Sequence, residues 1–146
     1  MEEEDAALPA ATDRASYKIW TYDKLRYNDT DRQGHVNNAV FATFCETGRV
    51  AFLYDEKLNL AAPGCEFVVA RLAIDFRAEL YFPGKVDIGT RVLRTGRSSF
   101  VFGQGVFKDD LCVATAESVG VQMNKETRHA QQLTPAMIAW LEERQR

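Results

Sequence analysis

The segment from Asn38 to about Leu58 constrains the fold more than any other part of the chain. Its pattern predicts a helix of several turns, and Asn37 or Asn38 can cap the N-terminus because a short amide side chain accepts from free N–H groups of the first turn. A helix on a protein surface keeps a polar face, so this helix is predicted to be enclosed by the rest of the chain. Apolar residues occupy nearly its whole circumference: Ala39, Val40, Phe41, Ala42, Phe44, Cys45, Val50, Ala51, Phe52 and Leu53.

Strands must supply the enclosure, because little else in the chain is apolar enough to do so. Runs with strand character are Tyr17–Tyr27 before the helix and Phe67–Phe76, Val86–Leu93, Ser99–Phe107 and Leu111–Met123 after it. Short turn signals between them predict hairpins and therefore an antiparallel sheet that curls around the helix, an α+β fold. Thr134 and Pro135 are the expected cap and first residue of a short C-terminal helix. Residues 1–15 are predicted to form a disordered acidic tail, and residues 16–146 a single domain.

Charge, cysteines and histidines narrow the function. A net charge of −3 argues against nucleic-acid binding, and no apolar run approaches the ~20 residues of a membrane span. The opening Met1-Glu2-Glu3-Glu4-Asp5 lacks the apolar region of a signal peptide, so we expect a cytoplasmic protein with free thiols at its three cysteines. With two histidines, His35 and His129, and no Cys-x-x-Cys, neither a metal site nor a cofactor is expected.

The polar loop that enters the long helix holds the residues best suited to chemistry. Asp31 supplies a carboxylate that can act as nucleophile or general base, and His35 can share proton transfer. Gly34 permits a tight backbone turn, while Gln33 and Asn37 can orient a water molecule. The N–H groups at the helix start, near Asn38, can hold a developing oxyanion.

Each of these residues also has a purely structural interpretation. Asp31 can form an Asx turn that leads into the helix, and His35 can cap or pack within the loop. At about 100° per residue, Glu46 and Arg49 fall on the same side of the helix as Asn38. Glu46 is therefore either a catalytic acid or the partner of Arg49 in an ion pair.

One family combines these features. The chain resembles the hotdog-fold acyl-CoA thioesterases, including the hydroxybenzoyl-CoA thioesterase group and small bacterial members. Two stretches carry the resemblance: Asp29-Thr30-Asp31-Arg32-Gln33-Gly34-His35-Val36-Asn37-Asn38 and, after it, Phe44-Cys45-Glu46-Thr47-Gly48-Arg49. The resemblance implies that Asp31 is the catalytic aspartate and that the backbone N–H of Asn38 holds the thioester oxygen. It also implies coenzyme A as part of the substrate, and a homodimer or homotetramer whose active site lies between protomers.

The stretch His35-Val36-Asn37-Asn38 is similar to plant acyl-carrier-protein thioesterases, which have an Asp-x-Asn-x-His pattern. Asp31 and His35 match that pattern, but Gln33 replaces the asparagine. The same resemblance places an additional acid at Glu79. Leu80 stands where the plant enzymes have a cysteine, which excludes a thiol nucleophile there.

A hairpin later in the chain is a candidate for holding the substrate. Arg94, Arg97, Ser98 and Ser99 could contact the phosphates of coenzyme A, or could form an ordinary solvated turn. Two other activities stay open: a hydratase or dehydratase using His35 with Glu46 or Glu79, and a non-hydrolytic acyl-CoA binding protein.

Overall fold

The structure is a computed structural model that describes residues 10–54 and 60–145. Two 3₁₀ turns, Arg14–Ser16 and Tyr27–Asp29, precede the long helix. The regular elements are β1 (Ile19–Lys24), α1 (Asn38–Leu53), β2 (Cys65–Phe76), β3 (Lys85–Thr95), β4 (Ser99–Lys108), β5 (Leu111–Asn124) and α2 (Pro135–Arg144). The predicted order of strand, long helix, four strands and short helix is confirmed. The predicted end of the long helix, Leu58, lies outside the described residues.

The five strands form one antiparallel sheet in the order β1-β3-β4-β5-β2. The predicted tight hairpin between β4 and β5 is present, and Asp109 adopts a φ of 54° there, a backbone region that aspartate tolerates better than most residues. β2 is an edge strand of twelve residues, and within the described residues its only strand partner is β5. The α+β class and the hotdog architecture are confirmed.

Helix α1 lies directly against one face of the sheet, and Gly48 makes this close approach possible. A Cβ atom at Gly48 would lie 2.4 Å from Gln104 Nε2 and 2.7 Å from Ile88 Cγ2. The buried Gln104 amide donates to the carbonyl of Cys45 at 3.0 Å and to Thr90 Oγ1 at 3.1 Å. The Gln104 side chain on β4 thus satisfies the Cys45 carbonyl of α1 across the contact between helix and sheet.

The prediction that α1 is enclosed on every side is wrong for the single chain. Thr43, Glu46 and Val50 are exposed, whereas Phe41, Phe44, Cys45, Gly48 and Phe52 face the sheet and are buried. The exposed side also carries Ala39, so it lacks the charged stripe by which an exposed helix face is usually recognised.

Two hydrophobic clusters fill the interior. One surrounds the N-terminal half of α1 and includes Phe41, Phe44 and Leu80. The other joins the C-terminal half of α1 to α2, where the ring of Phe52 lies 4.7 Å from that of Phe102 and 4.6 Å from that of Trp140. The predicted cap of α2 is confirmed, since the Thr134 hydroxyl accepts from the N–H of Met137 at 3.1 Å.

The first described residues pack on the outer face of the sheet, opposite α1. Tyr17 is buried there over Gly89 and Gly105, and its hydroxyl donates to the carbonyl of Ala11 at 2.6 Å. Burial raises the pKa of Tyr17 to about 12. Residues 1–9 of the predicted tail lie outside the described residues, but residues 10–15 have a defined conformation, so the folded part begins before residue 16. Within the described residues, no helix is long and apolar enough to cross a membrane.

Candidate active site

The loop between β1 and α1 is closed on itself by backbone pairing. Thr30 pairs with Val36 in an antiparallel bridge, and the N–H of Asn37 donates to the carbonyl of Asp29 at 2.8 Å. The buried carboxylate of Asp29 accepts from the backbone N–H of Arg26 at 2.9 Å. These bonds fix both ends of the loop, so the residues between them have a defined position relative to the start of α1.

Asp31 forms the Asx turn that its sequence context predicts. Its Oδ1 accepts from the N–H of Gln33 at 2.8 Å and from the N–H of His35 at 3.2 Å. Gly34 adopts a φ of 84°, which an L-residue rarely takes, and its N–H donates to the carbonyl of Asp31 at 3.1 Å. Among the described residues no donor binds Oδ2 of Asp31. One carboxylate oxygen therefore orients the side chain while the other is left for a substrate or water molecule.

The start of α1 provides a free backbone donor. The side chain of Asn37 caps the helix by accepting from the N–H of Ala39 at 3.0 Å, and the N–H of Val40 donates to the Asn37 carbonyl at 2.9 Å. The N–H of Asn38 donates to no acceptor within the described part of the chain. A free N–H at the positive end of a helix can stabilise a negatively charged oxygen.

Asp31 and Asn38 line the same cavity, which has a volume of about 370 Å³. Gln33, His35 and Glu79 add further polar groups to its wall, and Phe41 and Phe76 form an apolar part of it. The rings of these two phenylalanines meet edge to face at 5.3 Å. The loop, the helix start and the segment after β2 thus converge on one space with a polar side and an aromatic side.

Glu79, where the plant-type resemblance implies an additional acid, meets His35 in this cavity. Nε2 of His35 lies 3.4 Å from Oε2 of Glu79. Tyr81, which is not among the predicted site residues, donates its hydroxyl to the Glu79 carboxylate and packs edge to face on the His35 ring at 5.1 Å. This hydrogen bond raises the pKa of Tyr81. The alternation of Glu79 and Tyr81 along an extended segment was the one signal that could have indicated Tyr81.

Several predicted site residues lie elsewhere in the chain. Glu46 is exposed on α1 and lines a different cavity, together with Arg49. The two side chains form no ion pair with each other, so the prediction that Glu46 is the partner of Arg49 is wrong for the single chain, whereas a catalytic role of Glu46 stays a prediction.

The substrate-binding hairpin is also distant from the cavity within one chain. Arg94 lies near the end of β3, and Arg97, Ser98 and Ser99 follow at the turn into β4. The Asp31 cavity lies near the other end of β3, where the strand begins at Lys85. Lys108, the last residue of β4, lies at that same end, and its Nζ donates at 2.7 Å to the carbonyl of Tyr81, which contacts the cavity residues His35 and Glu79. An eleven-residue strand spans roughly 35 Å, so one chain does not bring these four residues to Asp31. Among the described residues, no group of three His, Cys, Asp or Glu side chains is placed to hold a metal ion.

The fold and this loop–helix geometry define a hotdog domain with a carboxylate at the helix start. Residues 25–141 match the model of the thioesterase-like superfamily, and the chain belongs to that superfamily. Two curated relatives from Arabidopsis thaliana, the chloroplastic acyl-acyl carrier protein thioesterases ATL3 and ATL2, are each 31% identical over 88 residues. The matches cover 58% of this chain, and 46% and 47% of the respective relatives. The chain therefore spans about half the length of the curated relatives it matches.

Solved structures support the same architecture. A predicted thioesterase from Bacillus stearothermophilus superposes with a TM-score of 0.77 at 22% identity, covering 86% of this chain and 95% of that one. A DHNA-CoA thioesterase from Staphylococcus aureus superposes with a TM-score of 0.74 at 21% identity, covering 84% and 85%. At these identities the similarity establishes the fold. Superfamily membership supports thioester hydrolysis as the general class of reaction.

Proposed function

We propose that this protein hydrolyses acyl thioesters of coenzyme A or of an acyl carrier protein to a free acid and a thiol. The observation that carries the proposal is the placement of Asp31 and the free N–H of Asn38 on one cavity wall. A thioester carbonyl needs an electron-rich attacker on its carbon and a hydrogen-bond donor at its oxygen. The two groups supply these functions from rigidly connected parts of the chain.

In the proposed reaction Asp31 attacks the thioester carbon or removes a proton from a water molecule that does so. The carbonyl oxygen becomes negatively charged and accepts from the N–H of Asn38, and one such donor is worth roughly 3–4 kcal/mol of barrier in acyl-transfer enzymes. The carbon–sulfur bond then breaks and the thiolate takes up a proton. In the nucleophilic version, water hydrolyses the resulting acyl anhydride of Asp31 in a second step.

His35 and Glu79 have an assisting role in this proposal. Their contact at 3.4 Å places an imidazole and a carboxyl group together on the cavity wall, where they can orient water or transfer a proton to the leaving sulfur. The same pair is what favours a hydratase or dehydratase as the second candidate, because that reaction requires a histidine and an acid near an acyl thioester. The two reactions differ in their products, since only hydrolysis releases a thiol.

We also propose a homodimer or homotetramer in the cytoplasm. The unpaired edge of β2 and the exposed, weakly charged face of α1 are surfaces that a second copy can cover. Assembly would also give the arginine and serine residues of the β3–β4 hairpin a route to the cavity of another protomer. Cys45, Cys65 and Cys112 are free, as expected in a reducing compartment.

A panel of acyl-CoA and acyl-carrier-protein thioesters, monitored for free thiol, tests the activity. Asp31→Asn removes the charge but keeps an oxygen that can accept from Gln33 and His35, so the loop should be retained while kcat falls by about 10²-fold or more. Asp31→Ala is the matched control, because it removes the loop bonds as well and should lower stability by roughly 1–3 kcal/mol. Near-normal kcat in Asp31→Asn would contradict the assignment, and absence of thiol release from every thioester would contradict hydrolysis.

A further inference from the structure

The segment that follows β2 is attached to the loop before α1 through its backbone. The N–H of Val36 donates to the carbonyl of Leu80 at 2.7 Å. His35 and Tyr81 form an antiparallel bridge beside this bond. From the end of β4, Lys108 Nζ donates to the carbonyl of Tyr81 at 2.7 Å. The backbone of Tyr81 is therefore fixed next to His35, whatever its side chain contacts.

The side chain of Tyr81 connects two groups of the Asp31 cavity. Its hydroxyl donates to Oε2 of Glu79, and its ring packs edge to face on the His35 ring. The same Oε2 lies 3.4 Å from Nε2 of His35. Among the described residues, the tyrosine hydroxyl and the imidazole are the donors that reach this carboxylate. The Glu79 side chain is mostly exposed, so without the hydroxyl it is free to rotate into solvent and gains rotamer entropy by doing so.

The position of Glu79 determines which nitrogen of His35 can act as a base. A carboxylate only accepts hydrogen bonds, so the Nε2 atom that faces it carries the proton of the neutral imidazole. Nδ1 then holds the lone pair, and within the described part of the chain no donor binds it. Because His35 lines the Asp31 cavity, Nδ1 can accept from a water molecule there. A base at this point suits the attacking water, whereas the sulfur leaves readily as a thiolate.

We propose that Tyr81 is a positioning residue, which holds Glu79 against His35 so that Nδ1 of His35 takes a proton from the attacking water. This inference rests on the hydrolysis proposed at Asp31 and fits its nucleophilic version. The water oxygen forms a bond to the acyl carbon of the Asp31 anhydride, and its proton passes to Nδ1. The bond from that carbon to the Asp31 oxygen breaks, and the carboxylate leaves with the electron pair. His35 then releases the proton to solvent.

Tyr81→Phe removes the hydroxyl but keeps the ring on His35 and the backbone bonds of the segment. We expect kcat to fall by about tenfold, a part of the roughly 10²–10⁴-fold that a positioned base contributes, with KM within about twofold of the wild type. In a Glu79→Ala background the same change should have no further effect, because the hydroxyl acts through the carboxylate. Tyr27→Phe is the matched control: this exposed tyrosine packs on Phe82, and kcat should be unchanged.

Hydroxylamine tests whether activation of water is the affected step. Its neutral nitrogen attacks an acyl group without first losing a proton, so it does not need the base. With hydroxylamine, turnover of Tyr81→Phe, corrected for the uncatalysed reaction, should come within about twofold of the wild type. A loss that persists with hydroxylamine would assign Tyr81 a structural role and overturn the proposal.

Imidazole ¹H–¹⁵N spectra at about pH 8 test the positioning without any substrate, since the chain has two histidines. The wild type should show His35 as the Nε2–H tautomer. Tyr81→Phe should raise the share of the Nδ1–H tautomer, with His129 as the unchanged internal reference. An unchanged His35 spectrum, or a kcat loss that persists in the Glu79→Ala background, would overturn the proposal. If the wild type releases no thiol from any thioester, hydrolysis is refuted, while the spectra still decide whether Tyr81 holds the pair.

Discussion

Replacing Gly48 by alanine tests how closely α1 lies against the sheet. In an isolated helix this change stabilises by about 0.8–1 kcal/mol, because glycine has a low helix propensity. In the folded chain the new Cβ would lie 2.4 Å from Gln104 Nε2 and 2.7 Å from Ile88 Cγ2, so both neighbours must move. The structure therefore reverses the sign that helix propensity alone predicts.

The size of the effect follows from what Gln104 would lose. Moving its amide breaks the bonds to the Cys45 carbonyl and Thr90 Oγ1, and a buried amide without partners costs about 1–3 kcal/mol. Overpacking against Ile88 adds roughly 1–3 kcal/mol. After subtracting the helix-propensity gain, we expect a net loss of about 1–5 kcal/mol. For a chain of this length that corresponds to a fall in Tm of roughly 3–20 °C.

Urea unfolding followed by circular dichroism measures this loss. Thr43→Ala is the matched control, since it makes a similar propensity change on the exposed side of α1 and should leave stability equal or slightly higher. In the double variant Gly48→Ala, Gln104→Ala the two losses should be less than additive, because truncating the amide makes room for the methyl group. Gly48→Ala with wild-type stability or better would refute the close approach of helix and sheet.

Other properties of the chain follow from the same structure. If Arg97 contacts coenzyme A phosphates, Arg97→Ala should raise KM for acyl-CoA, less so at high salt, with kcat nearly unchanged; an equal KM penalty on acyl-pantetheine would assign it a structural role instead. Light scattering should give at least twice the 16.5 kDa of one chain, and a monomer at micromolar concentration would contradict the proposed assembly. Burial raises the pKa of Tyr17 to about 12, so the unfolded chain loses this proton at a lower pH than the folded protein does. The free energy of unfolding, measured by urea titration, should therefore fall between about pH 10 and 12. The same fall in Tyr17→Phe would contradict this. Burial also raises the pKa of Cys45 to about 11, so its thiol should resist alkylation at pH 8 in the folded protein, and rapid labelling followed by mass spectrometry would contradict its burial.

The strands could be predicted to within about two residues at most ends because their local signals agree. Alternating apolar residues mark β3, an almost continuous buried run marks β4, and glycine- or aspartate-containing turns bound them. The loop before α1 was predictable for the same reason, since the turn at Gly34 and the cap at Asn37 depend only on neighbouring residues.

The errors concern relations that local spacing does not determine. Helix geometry places Glu46 and Arg49 at the azimuth of Asn38, but it does not show that the two residues form no ion pair or that they line a different cavity from Asp31. Tyr81 reaches the site through its pairing with His35, 46 positions earlier, and only the tertiary structure brings the two segments together. An apolar helix face likewise has the same sequence pattern whether its own sheet or another molecule covers it.

The packing of Tyr17 has a consequence for how this chain can diverge in evolution. A Cβ atom at Gly89 would lie 2.6 Å from Tyr17 Cγ, and one at Gly105 would lie 2.6 Å from Phe107 Cε2 and 2.9 Å from Tyr17 Cε2. A larger residue at Gly89 is thus compatible only with loss or displacement of the tyrosine ring, and one at Gly105 requires the Phe107 ring to move as well. Among relatives we expect the positions of Tyr17 and Gly89 to covary: glycine where an aromatic residue precedes β1, and a larger side chain where that aromatic residue is missing.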